Sequence, residues 1–331
     1  SVLWLENSLA IGLTTTQAAN AHQILTGLYA DLGWERGIEV YDRAIQRNPE
    51  DVGSYFSRGL ALSALGEHDL AIRDYDNAIR RVADNWTYYN GRAQAILKTV
   101  GGRSAVSDFS LAIQLNPTNV DLYVGRALAS HLQEGELDDA IVDLDQAILL
   151  DPQNIDAHVV LGNVYSRLGN TGKAIESYSQ AIAFDPLSSQ LYLFRGVAHR
   201  EFGDVVLALE DINRAMELGL QSGVVFAQRG MVYSDASEHA KAIQDFDRAI
   251  GLGFEDAPIN LRRGLSGDRL DERESAIRQD AKVYLRRGIS NNAIGERDAA
   301  VRDLKQAVDM YDGALLRNIE DAESYNNRGL A

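Results

Sequence analysis

The chain contains no cysteine, so disulfides, thiolate metal sites and cysteine nucleophiles are excluded from its chemistry. Basic charge is short: 32 Lys and Arg stand against 48 Asp and Glu, a net charge of −16. A uniformly acidic surface opposes nucleic acid phosphates and anionic lipid alike, so neither is an expected partner. No apolar run approaches the roughly 20 residues that a membrane-spanning helix needs, which argues against direct insertion into a bilayer. The opening SVLWLENSLAIGL carries Glu6 and Asn7 and no basic flank, a poor match to a secretory leader. The compartment is left open. Proline is rare, five in 331 residues, and together with glycine it punctuates helical patterns. Nothing alternates with the period of a strand.

What the chain has instead is self-similarity. Small residues recur as Gly59, Ala71, Ala78; Ala93, Ala105, Ala112; Gly162, Ala174, Ala181; Gly196, Ala208, Ala215; and Gly230, Ala242, Ala249. Within each set the offsets are 12 and 7 residues, and most sets lie 34 apart. A small residue at a fixed phase of two successive helices lets their backbones approach. Large residues fill the space around them: Tyr75, Phe109, Tyr178, Ile212 and Phe246. A period in this range is the mark of a repeat architecture.

The stretch 155–188, with Gly162, Tyr165, Ala174, Tyr178, Ala181 and Pro186, resembles the tetratricopeptide repeat family. The resemblance covers nearly the whole chain. It implies an all-α, right-handed solenoid of stacked helix-turn-helix units, beginning near Ala18, Val52, Trp86, Val120, Ile155, Ser189, Gly223, Ala257 and Ala281. Residues 1–17 read as the second helix of an upstream half-repeat or an N-terminal cap. Seven repeats follow over 18–256, then an irregular, shortened one over 257–280. A repeat with an insertion spans 281–321, and 322–331 is the first helix of a further repeat. The closing proline is present at Pro49, Pro117, Pro152 and Pro186, whereas Gly219 and Gly253 suit a left-handed helix cap instead. Both ends look cut, as in a segment of a longer protein.

One charged pair recurs in phase with the repeat: Arg58/Asp74, Arg92/Asp108, Arg126/Asp143, Arg195/Asp211, Arg229/Asp245 and Arg287/Asp303. Where the Arg is absent so is the Asp, as at Ile24/Val40 and Leu161/Ser177; Arg263 with Gln279 breaks the rule. Joint presence and joint loss imply contact, because an unpaired charge between packed helices costs several kcal/mol. A ladder of guanidinium groups gripping acidic ligands is the rival explanation. The preferred reading is an ion pair tying the two helices of each repeat together.

No catalytic constellation emerges. The six histidines are scattered without metal-ligand spacing, and the second Asp of DYD, DLD and DFD lies two residues on, facing elsewhere along the helix. The NWT triplet at Asn85 fits a glycosylation sequon. Neither metal nor cofactor is expected. The resemblance implies a concave groove lined by positions 5 and 9 of each first helix. Here these include Phe56, Leu60, Asn90, Gln94, Val124, Leu128, Val159, Asn163, Leu193, Val197, Met231, Leu261, Leu265, Leu285 and Ile289. Most are apolar. The sequence therefore reads as a non-enzymatic scaffold whose partner is a protein or peptide segment with apolar anchors. Two alternatives stand beside it: the recognition arm of a larger enzyme, and a structural subunit that self-associates through its end repeats.

Overall fold

The computed structural model describes residues 24–30, 33–99, 102–132, 137–252 and 269–315, with side chains resolved at 281–311 in the last stretch. Every regular element among them is a helix. The chain divides into two compact units, 1–150 and 151–331.

In the first unit, α1 covers 24–30. It is followed by α2 (Trp34–Arg47), α3 (Val52–Ala64), α4 (His68–Arg81), α5 (Trp86–Thr99), α6 (Gly102–Leu115), α7 (Val120–His131) and α8 (Leu137–Leu150). In the second unit lie α9 (Ile155–Arg167), α10 (Thr171–Phe184), α11 (Ser189–Phe202), α12 (Val205–Glu217), α13 (Gly223–Asp235), α14 (His239–Gly251), α15 (Arg269–Ala293) and α16 (Arg297–Leu315). Within each unit successive helices pack on one another. First helices also meet their counterparts one repeat on, α3 with α5 and α5 with α7, and likewise α11 with α13.

Helix ends follow local chemistry. Pro49, Pro117, Pro152 and Pro186 each lie two residues past a second helix, where the missing N–H does no harm. Gly219 takes φ +98° after α12. Gly253 lies outside the described residues. Asn154, Asn170 and Asp204 cap α9, α10 and α12 by accepting from the N–H three residues on.

The small residues sit in the seams: Ala71, Ala78, Ala105, Ala112, Ala174, Ala181, Ala208, Ala215, Ala242 and Ala249 are fully buried. The large residue of each second helix presses on the small residue of the first. A Cβ added at Gly230 would meet Phe246 Cε1 at 2.7 Å. Tyr75 is held on two sides, since a Cβ at Gly59 would lie 2.8 Å from its ring and one at Gly91, in the next repeat, 2.9 Å.

Each of the six arginines makes a bidentate bond to the Asp of its own repeat. Arg58 Nε and Nη2 reach Asp74 at 2.7 and 2.6 Å. The same pattern joins Arg92 to Asp108, Arg126 to Asp143, Arg195 to Asp211, Arg229 to Asp245 and Arg287 to Asp303. Five of the guanidinium groups also lie over an aromatic ring three residues earlier, as Arg58 does over Tyr55 at 5.8 Å. Burial holds the Asp74 carboxyl above its ordinary value, although the Arg58 guanidinium pulls it down.

The third nitrogen does something the spacing did not suggest. Nη1 reaches back into the second helix of the preceding repeat: Arg58 to Asp42 and Arg92 to Asp76, both at 2.5 Å, Arg126 to Ser110, Arg195 to Ser179 and Arg229 to Asn213. The second Asp of DYD is thus not turned away from the pair. It is the anchor for the next repeat's arginine.

The last repeat departs from the regular stack. Arg287 Nη1 reaches Asp247 across 40 residues rather than 16, Ser234 and Ser290 Oγ lie 3.4 Å apart, and Val283 enters the core with Val225 and Phe246. The repeat beginning at Ala281 therefore packs against 223–252; residues 257–268, where most of the irregular repeat is expected, lie outside the described residues. One helix, α15, runs unbroken through 280, because nothing between Arg269 and Gly288 interrupts it. Arg263 stands at the regular spacing from Asp247, but its own partner position holds Gln279, which cannot neutralise a buried guanidinium. Arg287 brings Asp303. The extra residues after Met310 extend α16 to Leu315. Residues 1–17 and 322–331 lie outside the described residues.

Replacing Arg229 with Leu leaves Asp245, 5% exposed, without its two donors and is expected to cost about 3 kcal/mol, toward the low end for a broken buried pair. Arg229→Leu with Asp245→Leu should recover part of the loss. A denaturant double-mutant cycle reads the coupling, and simple additivity would count against direct pairing. Gly230→Ala is expected to cost about 1–3 kcal/mol through overpacking. Adding Phe246→Leu should relieve it, by analogy with Ala127 and Leu144 in an earlier repeat.

Candidate functional site

The first helices of the first unit leave an open cavity of about 430 Å³ between α3 and α5. Phe56 and Leu60 form one wall, Asn90 and Gln94 the other, and Gly91 and Ala95 keep the floor low beneath them. Trp86 and Thr87 stand at one end and Lys98 at the other, with Ser63, Ala64 and His68 along the rim. Phe56 is fixed by two rings, Tyr88 at 5.0 Å and Tyr75 at 5.9 Å. Gln94 Nε2 donates to Asn90 Oδ1 at 3.3 Å, so the two amides present one continuous polar edge. Tyr75 is buried below, its hydroxyl 3.3 Å from Ser63 Oγ. Burial pushes that phenol up to about 12, which keeps it a neutral part of the floor.

Sequence reasoning missed Trp86, Ser63 and His68. Trp86 had a signal, because the same phase holds Val52, Val120, Ile155, Ser189 and Gly223 in other repeats. An aromatic at the start of one first helix marks that helix as different.

The other groove positions divide. Val124 and Leu128 on α7, and Val159 and Val197 in the second unit, are half-buried, and Ile289 is 43% exposed. Asn163 accepts the Tyr178 hydroxyl at 2.8 Å, so its carbonyl is already engaged. Leu193, Met231 and Leu285 require correction: they are 2%, 6% and 5% exposed and belong to hydrophobic cores. Leu193 packs with Val225 and Met231 where α11 meets α13, and Arg200 Nη1 lies over the Met231 sulfur at 2.8 Å. At these positions a helix spacing compatible with a lining side chain is equally compatible with the seam. Leu261 and Leu265 lie outside the described residues.

The remaining polar motifs find local partners. Asn85 Oδ1 accepts from the Thr87 N–H and hydroxyl at 3.0 and 2.7 Å, starting α5. His158 Nε2 lies 3.0 Å from the Pro152 carbonyl oxygen and stacks near Phe184. Among the described residues no cluster of three His, Asp or Glu side chains could hold a metal. No helix among them is long and apolar enough to cross a membrane.

A family model described as tetratricopeptide repeat matches residues 26–85, 57–100 and 159–219, and a second, described as TPR repeat, matches 130–169. The chain is a tetratricopeptide repeat protein. Such proteins are α-solenoids that are in general non-catalytic scaffolds for protein–protein interaction. A tetratricopeptide repeat protein from Parabacteroides merdae superposes with a TM-score of 0.59 at 18% identity, over 75% of this chain and 97% of that one. MamA gives 0.45 at 22%, over 61% and 96%. YrrB, described as having an unusual peptide-binding site, gives 0.44 at 21%, over 57% and 96%. No curated protein matches the chain.

His199 is 9% exposed and sits 3.8 Å from Asp211. Burial lowers its pKa, against the pull of Asp211. The unfolded chain therefore takes up the proton first as pH falls, and stability should drop below the free histidine value of about 6.5. Unfolding free energies measured from pH 7.5 to 5.5 should show a steeper fall for the native chain than for His199→Gln.

Proposed function

We propose that the protein is a non-enzymatic scaffold whose first unit binds an extended segment of a partner protein in the groove between α3 and α5. The observation that carries this reading is the mixed lining of the cavity. Phe56, Leu60 and Trp86 form an apolar slot for one large side chain, and the Asn90–Gln94 edge offers both donors and acceptors to a peptide backbone. An extended chain exposes such groups on every residue. A buried apolar anchor would contribute about 1.5–3 kcal/mol. Val124 and Leu128 continue the apolar lining onto α7, giving a second anchor position. The arginines of the ion pairs are excluded from ligand duty, since their forks are already filled by aspartates.

Selection from a random peptide library displayed on phage tests the reading. Enriched peptides should share a large apolar residue. Asn90→Ala and Gln94→Ala, both away from the core, should each weaken binding of an enriched peptide about tenfold, and Phe56→Ala should weaken it at least as much. Binding should hold at raised salt, because the contacts are neutral. Enriched peptides indifferent to Phe56, Asn90 and Gln94 would overturn the assignment of this groove.

A further inference from the structure

One second helix, α8, carries a face that the scaffold does not use. Val142 and Leu149 stand outward on it, 67% and 74% exposed. Counted from the paired aspartate, Asp143, these are the phases one residue before and six after. The other second helices have different chemistry there. Their first phase holds Glu39, Arg73, Ser107, Glu176, Glu210, Gln244 and Arg302, and their second holds no large apolar residue. Packing one repeat on the next therefore needs no hydrophobe at either place. Asp138, Asp139 and Asp145 are exposed on the same helix, which has neither Lys nor Arg. Among the described residues none of the three is ion-paired. Asp139 acts on Arg126 through space, but that guanidinium is bound to Asp143. Asp145 lacks a partner that its counterparts have. It shares the phase of Asp42 and Asp76, which take Nη1 of Arg58 and Arg92, yet sixteen residues beyond it stands Leu161.

We propose that the outer face of α8 is a docking site for a cationic amphipathic helix of a partner protein. Asp138, Val142, Asp145 and Leu149 follow one another by three or four residues, so they form a single stripe along the helix. The stripe is about 16 Å long. A helix laid along it can seat an apolar side chain between Val142 and Leu149 and reach the aspartates with arginines a turn to either side. An arginine on Asp145 would supply the guanidinium that Leu161 cannot. An extended segment fits less well, because its side chains alternate between two faces and only half of them meet the stripe. The three local acids and the chain's net charge of −16 favour a cationic partner and oppose an acidic one or a second copy of this chain. The site goes beyond the groove between α3 and α5, which is built from first helices, and does not require that groove to be occupied.

Fluorescence anisotropy of labelled peptides titrated with the full chain is the readout. The probe is a blocked alanine-based helix with leucines one heptad apart and arginines three and four residues from them. Its controls are a peptide of the same composition with the order scrambled, and one with glutamate in place of each arginine. The patterned arginine peptide should bind and both controls should not. Val142→Ser and Leu149→Ser should each weaken binding about tenfold, and Asp145→Asn about threefold. Helix content and melting temperature should stay unchanged, because these side chains are exposed. Asp138→Arg with Asp145→Arg should reject the arginine peptide and capture the glutamate one. Phe56→Ala should leave binding as it is. Equal binding of the scrambled peptide would mark mere attraction to an acidic chain and overturn the proposal. No binding, or binding lost with Phe56→Ala and kept with Val142→Ser, would overturn it as well. So would dimerisation of the chain alone that Val142→Ser abolishes, since a second copy would then be the occupant.

Discussion

One guanidinium joined to three helices is the contact on which the repeat stack depends. Two nitrogens close a fork on the aspartate of the same hairpin, and the third reaches the second helix of the hairpin before. The bidentate geometry admits one register of first helix against second. The reaching nitrogen then admits one register of repeat against repeat. Net stability from such a pair is small once desolvation is counted. Its value is that a slipped neighbour leaves a buried charge unmatched. Where the ion pair is missing, at Leu161 and Ser177, both positions are occupied by residues that carry no charge, so the penalty disappears with the constraint.

The same arrangement decides which surface is left for binding. The forks point to the second helices, and the alanine and glycine seams close beneath them, so none of the six pairs occupies the first-helix face. In the first unit that face opens into a cavity lined by Phe56, Leu60, Asn90 and Gln94. Leu193 and Met231 are drawn into the core, and Arg200 lies across the seam.

The last repeat shows the constraint at work. Spacing alone offers Arg263 the seat beside Asp247. Arg287 takes it, because Arg287 arrives with Asp303 on α16 whereas the position matching Arg263's partner holds Gln279. A donor that can fill one half of the bridge cannot displace one that fills both. A single helix, α15, carries the chain from Arg269 into the last repeat.

The helical class, the repeat and the six Arg–Asp pairs were legible in the sequence, because each is a periodic constraint: residues that must meet recur at the spacing that makes them meet. The close approach of Gly59 and Tyr75 was legible for the same reason. Contacts between repeats were not. The role of Asp42, Asp76 and Asp247 depends on how one hairpin rotates on the next, and Asp42 and Asp74 both lie 16 residues along the chain from the arginine they share. Position along a first helix likewise placed Phe56 and Leu193 in one class, since both have the same phase. Only packing separated them, with Phe56 at the wall of an open cavity and Leu193 under Val225 and Met231. The pairing of Arg286 with Asp235 belongs to tertiary structure altogether, a contact across 51 residues that no local pattern encodes.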